Sequence, residues 1–391
     1  MLSFRWDRGG GVTRLERGIE RSAGAAHAIC SAKARVAIFL AVRALIKPGQ
    51  EVVLSPYTIS DVVNMVICAG GKPVFADIAE DTCNIDPDQI ERLIGVDTGA
   101  VLITHLHGLA CDMDRIVSIC QDKSVPLIED AAQAFGTRHK GRPVGSMGTV
   151  GVYSFGQYKN VSSLFGGMLV TSDSDLANRV REEVAKLPAQ EQGYYLSKMR
   201  SAIATDLATW PPIFKSFTYW VFRHAFLNDF ESMNRMLSVD TSPIMKRVLP
   251  ESYLRRMTPT QASMVVHQLK TVDTNSQDRI NAAQQYHDGL DGVPGVKLPP
   301  LRDDFSHIYT QYPIQVDDRS IVLKEMMVNY RDVAAQHLKN CADMDCFGEF
   351  YRPCPTARAV ANRVILLPTY PRYGRSDINR NIRVIRKIFG S

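Results

Sequence analysis

Val152-Tyr-Ser-Phe-Gly-Gln-Tyr-Lys159-Asn160, with Gly166-Gly167-Met-Leu-Val-Thr171 shortly after it, is the most informative part of this sequence. An apolar strand ends in a polar turn that carries one lysine, and a second strand begins at a glycine pair. Upstream, Leu127-Ile-Glu-Asp130 has the pattern of another strand that ends in a carboxylate. A partly desolvated lysine loses its proton easily, so Lys159 can form a Schiff base with a carbonyl cofactor. The pattern therefore suggests an enzyme that uses pyridoxal 5'-phosphate (PLP).

Strands and helices alternate from about residue 28 to about residue 175. The predicted strands are nearly continuous in apolar residues, which indicates a mostly parallel sheet covered by helices on both faces. Ligands of such a doubly wound α/β fold bind beyond the carboxyl ends of the strands. The predicted strands are Glu51–Ser55, Pro73–Ile78, Ala100–His105, Val125–Glu129, Thr149–Phe155 and Met168–Thr171, and the predicted helices are Val36–Leu45, Ser60–Cys68, Pro87–Leu93 and Met113–Lys123.

The length of 391 residues suits two domains better than one. We predict an N-terminal arm (1–27), a large α/β domain (28–255) with a helical insertion at about 175–250, and a smaller C-terminal α+β domain (256–391). A long helical pattern runs from Pro259 towards His287 at the start of the small domain. Short elements follow at Tyr309–Val316, Ile321–Asn329, Val364–Leu367 and Asp377–Ile388.

Composition and charge exclude several classes of protein. The net charge is +5 and the basic residues are scattered, so no nucleic-acid partner is expected. The eight cysteines form no CxxC pair and no Cys/His ligand spacing, so no metal site is expected. The first residues of the chain lack the apolar core of a secretory signal, and we expect a cytoplasmic protein.

One aromatic segment, from Trp210 to Phe226, raises the question of a membrane. Lys215, Arg223 and a pair of prolines interrupt it, whereas a spanning helix needs about 20 predominantly apolar residues. We predict an amphipathic helix that is buried in a subunit or domain contact. Shallow docking on a membrane surface is the alternative.

A PLP site needs a carboxylate beside the pyridine nitrogen, and Asp130 is the candidate. Asp130 follows the predicted strand Val125–Glu129, and Gln133 comes one helical turn later, on the same face. An amide at that position suits the ring hydroxyl. The alternative is that Asp130 only caps a helix.

The phosphate of PLP needs backbone amides at the start of a helix. Small residues between Ser31 and Ala37 would let a phosphate approach the first turn of the predicted helix Val36–Leu45. Ser154 could give its hydroxyl to the phosphate or only end a strand. Arg35 could add a positive charge or be an ordinary solvated arginine.

The order of these motifs resembles the DegT/DnrJ/EryC1/StrS family of PLP-dependent aminotransferases of fold type I. The resemblance extends from about Ser31 to Pro371, with the helical insertion as its least similar part. It is carried by Ala34–Leu45, Lys47–Thr58, Gly70–Ile78, Asp81–Pro87, Thr104–Gly108, Asp112–Asp114, Leu127–Thr137, Gly145–Gly148, Tyr153–Phe155, Tyr158–Asn160 and Gly166–Thr171. The resemblance implies an enzyme that converts keto groups on nucleotide-linked sugars to amines, with PLP as the cofactor.

The resemblance also implies a role for each candidate residue. Lys159 would bind the cofactor covalently and then act as the general base of the reaction. Asp130 would hold the proton of the pyridine nitrogen, and Gln133 would contact the ring hydroxyl.

At the phosphate, the resemblance implies contacts from Ser154 and from the amides around Ala34, Arg35 and Val36. Ile59 falls where many family members place an aromatic side chain that stacks on the ring.

This sequence departs from the family pattern at three positions. Ile59 is aliphatic, so apolar contact would replace stacking. Leu254 precedes Arg256-Met257, where the family often has an asparagine that reaches the phosphate of the neighbouring subunit. Ala34-Arg35 replaces a Gly-Thr pair, which moves a guanidinium towards the phosphate.

The leading hypothesis is transamination, in which glutamate donates an amino group and a nucleotide-linked keto-sugar accepts it. The fold implies a homodimer whose subunits share each site. A carbonyl acceptor that is not a nucleotide sugar, such as a cyclitol or a lipid-linked compound, stays open. A PLP-dependent sugar dehydratase would have histidine in place of Lys159, and a non-catalytic regulator would have lost Lys159 or Asp130. A nicotinamide dehydrogenase is excluded because the first helix lacks a glycine fingerprint.

Overall fold

The largest sheet has seven strands, of which all but one run in the same direction. The computed structural model describes residues 9–228, 230, 243–331 and 333–390. The strand order is His27–Ser31, Gly167–Thr171, Val150–Ser154, Leu127–Asp130, Thr98–Thr104, Glu51–Leu54 and Lys72–Phe75. Gly167–Thr171 pairs antiparallel with both neighbours, and the other pairs are parallel. The prediction of a mostly parallel sheet is confirmed.

Helices cover both faces of this sheet. Successive strand side chains point to opposite faces, so Val52 and Leu54 enter one apolar cluster while Val53 enters another. Helix Ala34–Leu45 packs in the first cluster, and helix Met113–Asp122 packs in the second. The remaining helices of this part are Ser60–Cys68, Pro87–Leu93 and Ser174–Lys186, with a short 3-10 turn at Leu106–Gly108.

Helices Gly11–Ala23 and Pro259–Gln268 pack against each other in a third apolar cluster beside the sheet. The second of these helices begins directly after its N-cap residue, Thr258, which forms a capping box with Gln261. It ends at a 3-10 turn, Leu269–Thr271, so the predicted long helix is in fact broken before Val272–Leu290.

The second sheet is small and antiparallel, with strands in the order Val296–Lys297, Tyr312–Val316, Val364–Leu367 and Ala334–Ala335. Its apolar cluster includes residues of helices Val272–Leu290, Arg319–Val328 and Arg375–Ile388. The other elements here are helix Pro355–Ala361 and the 3-10 turns Glu251–Tyr253, Cys341–Asp343 and Asp345–Phe350. Two short antiparallel pairs complete the structure: Tyr57–Thr58 with Lys339–Asn340, and Arg138–His139 with Arg142–Pro143.

Most of the predicted elements agree with the structure to within a few residues. Elements that were not predicted include strand His27–Ser31, helix Gly11–Ala23, helix Pro355–Ala361 and the short strands Val296–Lys297 and Ala334–Ala335. The predicted arm (1–27) and insertion (about 175–250) lie partly outside the described residues. The division into domains at these limits stays a prediction.

The aromatic segment forms helix Pro211–Ile213, a π-helical stretch Phe214–Thr218 and helix Tyr219–Leu227, after helix Gln192–Thr209. Tyr219 and Ala225 are buried, but Trp210, Phe217 and Trp220 are 56%, 67% and 47% exposed. The predicted burial in a domain contact is therefore wrong for these three side chains, and burial in a subunit contact stays a prediction. In the described ranges, no helix is both long and apolar enough to cross a membrane.

Candidate active site

The carboxyl ends of the parallel strands bring the predicted residues to one edge of the large sheet. The pairing places Asp130 opposite Thr104 on one side and opposite Val152 on the other. Gly167 begins the antiparallel strand at this same edge, opposite both Ser154 and Ser31. The register therefore brings two strand ends and the start of helix Ala34–Leu45 together.

Lys159 lies in the turn that follows strand Val150–Ser154, and its backbone amide donates to the carbonyl of Gly156 (3.1 Å). Asn160 holds the turn in place by donating from Nδ2 to the carbonyl of Phe135. Burial lowers the pKa of Lys159; the charge of Asp130 opposes this shift and the charge of Arg35 adds to it. Lys159 is thus a partly desolvated amine near a carboxylate, as the sequence predicted.

Asp130 is 3% exposed and ends the strand Leu127–Asp130. Its Oδ1 atom accepts from the amide of Ala132 (3.0 Å), and its Oδ2 atom accepts from the hydroxyl of Thr104 (3.5 Å). Burial raises the pKa of Asp130. Turns follow at 131–137, so the reading of Asp130 as a helix cap is wrong, as is the helical spacing that we predicted for Gln133.

Gln133 reaches the same edge through a different contact. Its Oε1 atom accepts from the backbone amide of His107 (3.2 Å). His107 has a left-handed backbone (φ 56°), is 1% exposed and lies 3.4 Å from Gln336 through the Nε2 atoms of both residues. Burial lowers the pKa of His107 to about 3, so the ring is neutral. Its Nδ1 atom has no hydrogen-bond partner in the part of the chain that the structure describes.

We did not predict a role for His107. The signal was present, since His105 and His107 directly follow a buried strand in the stretch Thr104–Gly108. A non-glycine residue with positive φ and an unsatisfied ring nitrogen is uncommon away from functional sites.

Glu129 is the second residue that sequence reasoning missed. It is fully buried on the opposite face of the strand from Asp130, and it accepts from the amides of Gly145 (2.7 Å), Met147 (2.6 Å) and Gly148. The Nε2 atom of His105 lies 3.2 Å from Glu129 Oε2. Burial alone would raise the pKa of Glu129, but these donors lower it. Glu129 therefore anchors the 145–148 loop behind the site.

The first turn of helix Ala34–Leu45 lies beside Ser154, and no described side chain caps it. Its N-cap residue, Lys33, gives no side-chain hydrogen bond to the first turn. The first intrahelical bonds run from the amides of Val36 and Ala37 to the carbonyl of Lys33, so the amides of Ala34 and Arg35 precede them. The side chain of Val36 is buried in the core, which leaves only backbone groups at this position.

Gly167 allows the close approach at this point, because a Cβ atom there would collide with the backbone of Lys33 and Ala34. The hydroxyl of Ser154 accepts from the amide of Gly156 (3.4 Å) and lies on the same strand end. The arrangement is a concave cradle of amides and one hydroxyl, which suits a phosphate group.

Arg35 is not a solvated arginine. Its Nη1 atom donates to Asp61 and to the hydroxyl of Tyr253 (2.9 Å). Lys246 also pairs with Asp61, and the Lys33 Nζ atom lies 4.1 Å from the centroid of the Tyr253 ring. Burial would raise the pKa of Asp61, but Arg35 and Lys246 lower it. Positive charge is therefore concentrated beside the open helix start.

Two residues that depart from the family pattern lie close by. Ile59 is half-buried at the N-cap of helix Ser60–Cys68 and packs against the first apolar cluster. Leu254 packs against the same cluster, so this position makes apolar contact. Its neighbour Tyr253 supplies a hydroxyl to Arg35 from within the same chain.

This chain is similar to known proteins over most of its length. A model of the DegT/DnrJ/EryC1/StrS aminotransferase family matches residues 2–201 and 233–388. The spore coat polysaccharide biosynthesis protein SpsC of Bacillus subtilis is 30% identical over 400 residues, which cover 99% of this chain and 92% of SpsC. The UDP-4-amino-4-deoxy-L-arabinose–oxoglutarate aminotransferase of Shewanella sediminis is 28% identical over 398 residues, covering 96% of this chain and 90% of that enzyme.

Among solved structures, a DegT DnrJ EryC1 StrS aminotransferase from Brucella abortus superposes with a TM-score of 0.77. It is 21% identical, and the match covers 99% of this chain and 92% of that one. The sheet topology and these matches define the class as an aminotransferase of fold type I. The chain belongs to the DegT/DnrJ/EryC1/StrS aminotransferase family, as the resemblance in its sequence predicted.

Proposed function

We propose that this protein is a PLP-dependent aminotransferase that moves an amino group from glutamate to the keto group of a nucleotide-linked sugar. The observation that carries the proposal is the meeting of Lys159, Asp130 and the uncapped helix start at Ala34 on one edge of the sheet. These are the three kinds of group that an aldehyde, a pyridine ring and a phosphate require.

The residues present fit the cofactor. In the proposal, Lys159 holds PLP covalently, Asp130 contacts the ring nitrogen and Gln133 contacts the ring hydroxyl. When bound, PLP supplies an electron-withdrawing ring and a carbonyl that carries the amino group between donor and acceptor.

At the phosphate, the amides of Ala34 and Arg35, the Arg35 side chain and the Ser154 hydroxyl are the proposed contacts. The amide of Val36, which the resemblance also implies as a contact, already donates to the carbonyl of Lys33 and is less available to a phosphate. Ile59 would cover the ring by apolar contact.

The chemistry of the chain's own residues follows from their surroundings. Burial lowers the pKa of Lys159, which favours the free amine, and the Nζ atom of that amine can accept a proton and return it. Asp130 sits in an environment that raises its pKa, and a positive charge beside it would favour the carboxylate. Asp130 would therefore hold a proton on a neighbouring nitrogen.

The proposed donor, acceptor and assembly each rest on a separate observation. Glutamate and a nucleotide-linked sugar are suggested by the relative that is named as a UDP-sugar–oxoglutarate aminotransferase. A homodimer is suggested by Tyr158, which is 84% exposed next to Lys159 and is left uncovered by its own chain. No disulfide joins any of the eight cysteines, all of which the structure describes, and this supports a reducing cytoplasm.

The test measures the donor half of the reaction, which needs no knowledge of the acceptor. The purified chain is loaded with PLP and mixed with glutamate, and 2-oxoglutarate is quantified. We expect one 2-oxoglutarate per bound cofactor in the wild type and a rate lower by roughly 10⁴-fold or more in Lys159→Ala. Lys123→Ala, an exposed lysine distant in sequence, is the matched control. A wild type that binds PLP but forms no 2-oxoglutarate would exclude glutamate as the donor.

A further inference from the structure

Four apolar side chains of the segment after helix Gln192–Thr209 project from the surface and form what we call the aromatic ridge. They are Trp210, Phe217, Trp220 and Val221, with exposed fractions of 56%, 67%, 47% and 36%. Exposed aromatic side chains grouped on one element are unusual for a surface that faces only water. Lys215, which is also exposed, adds a positive charge to this surface.

The inner face of the same segment packs on helix Arg319–Val328, which belongs to the layer that covers the small sheet. The hydroxyl of Tyr219 donates to the carbonyl of Met327 (2.9 Å), and Arg223 Nε donates to the same carbonyl (3.1 Å). Trp220 belongs to the ridge and is 47% exposed, and its ring also meets that of Tyr330 edge to face, with centroids 5.7 Å apart. The ridge is therefore the outer face of a docked element.

Basic side chains continue the surface beyond Tyr330, in what we call the basic groove. Its lining includes Tyr330, Arg331, Arg380, Arg383 and Lys387. Asp377 lies 3.3 Å from Arg331 and 3.5 Å from Arg380. Among the residues that the structure describes, no carboxylate lies within ion-pair distance of Arg383 or Lys387. The groove keeps a surplus of positive charge.

The ridge lies in a part of the chain that the family model does not match, since the two matched ranges stop at 201 and resume at 233. The sheet edge with Lys159 falls inside the matched ranges. The family model therefore describes the candidate active site but not the ridge.

We propose that the aromatic ridge and the basic groove together dock on the surface of an anionic lipid bilayer. Tryptophan and phenylalanine insert their apolar bodies at the level of the headgroups, and arginine and lysine attract anionic lipids. Tyr330 lines the groove and its ring contacts Trp220 of the ridge, so the two regions are adjacent. In the proposal, one bilayer surface contacts the ridge and the groove at the same time.

A second copy of the chain fits this surface less well. A two-fold contact through the ridge would bring two basic grooves towards each other. Like charges that face each other oppose association. An anionic surface would instead be attracted by each basic side chain of the groove.

The experiment measures co-sedimentation of the full chain with vesicles. One set contains equal parts of phosphatidylcholine and phosphatidylglycerol, and the other contains phosphatidylcholine alone. We expect binding to the anionic vesicles only, and a loss of roughly tenfold or more when Trp210→Ser and Phe217→Ser remove two insertion sites. Arg383→Gln with Lys387→Gln should also weaken binding and reduce its dependence on salt.

Val96→Ser is the matched control, because Val96 is a fully exposed apolar residue outside the ridge. Thermal melting by circular dichroism establishes that each variant is folded. The proposal is overturned if the wild type stays in the supernatant, or if the ridge variant binds as well as Val96→Ser. It is also overturned if the ridge variant breaks an oligomer in sedimentation velocity, since the ridge would then belong to a second copy.

Discussion

The two ends of the candidate site are built in different ways. We call Asp130, Gln133 and Lys159 the ring end, and Lys33, Arg35 and Ser154 the phosphate end. At the ring end, Asp130 and Gln133 are fixed by backbone amides at 3.0 and 3.2 Å. At the phosphate end, the long side chains of Lys33 and Arg35 gather around the ring of Tyr253. The first end is preorganised by the backbone, and the second depends on interactions between side chains.

The difference has consequences for how each end responds to change. A backbone-held carboxylate in a buried site offers one fixed charge, and nothing nearby can move in to replace it. At the phosphate end, several cations around one aromatic ring together attract the phosphate. If one of them is removed, the others still supply part of the attraction. We therefore expect large effects at the ring end and graded effects at the phosphate end.

The largest effect is expected from Asp130→Asn. The amide side chain can still accept from Ala132, but it carries no charge for the ring nitrogen. We expect 2-oxoglutarate formation from glutamate to slow by about 10²- to 10³-fold, the size of a lost preorganised electrostatic contact. A variant that retains more than half of the wild-type rate would separate Asp130 from the chemistry.

Glu129→Gln is the neighbouring control, because it removes a buried charge from the other face of the same strand. Its amide nitrogen would face the donors of the 145–148 loop. We expect the free energy of unfolding to fall by about 2 to 4 kcal/mol. Asp130→Asn should instead leave the urea midpoint close to that of the wild type, so the two carboxylates are distinguished by which measurement changes.

Arg35→Met tests the phosphate end. The measurement compares the binding of pyridoxine 5'-phosphate with that of pyridoxine, because neither has an aldehyde that could react with Lys159. We expect the preference for the phosphorylated form to fall by about tenfold or more, the value of a charge-assisted hydrogen bond. An unchanged preference would mean that Arg35 serves only Asp61 and Tyr253.

Ser154→Ala removes one neutral hydrogen-bonding group from the same end. The expected loss in affinity for pyridoxine 5'-phosphate is about fivefold. Affinity for pyridoxine should not change, and a parallel loss for both ligands would instead indicate a shift of the strand end.

Lys33→Met gives the smallest effect, and it depends on pH. Burial lowers the pKa of Lys33 from 10.5 to about 8, and the charges of Arg35 and Lys198 add to the shift. Lys33 is protonated below this pH and attracts the phosphate; above it, the charge is lost. Wild-type affinity for pyridoxine 5'-phosphate should therefore fall by roughly threefold as the pH rises through about 8. The profile of Lys33→Met should be flatter in this range, and an identical profile would assign the titration to another group.

The strands of the large sheet could be predicted because each is a run of apolar residues bounded by polar ones. Strand His27–Ser31 was missed because it mixes polar with small residues and pairs with a strand far along the chain. The contacts of Arg35 with Asp61 and Tyr253 were not predicted for a similar reason, because these partners are 26 and 218 residues away in the chain. Patterns in sequence report local periodicity and do not specify which distant side chains meet.

The order of Lys159, Asp130 and Ser154 at strand ends was enough to indicate the sheet edge, the chemistry and the family, because parallel strands carry their carboxyl ends to one side. The tertiary structure decided the rest. The adjacent carboxylates Glu129 and Asp130 lie on opposite faces of one strand and have different partners, and the aromatic ridge is exposed on the outer side of a docked helix. Those outcomes depend on which layers pack on each face, and that packing is fixed by long-range contacts between elements.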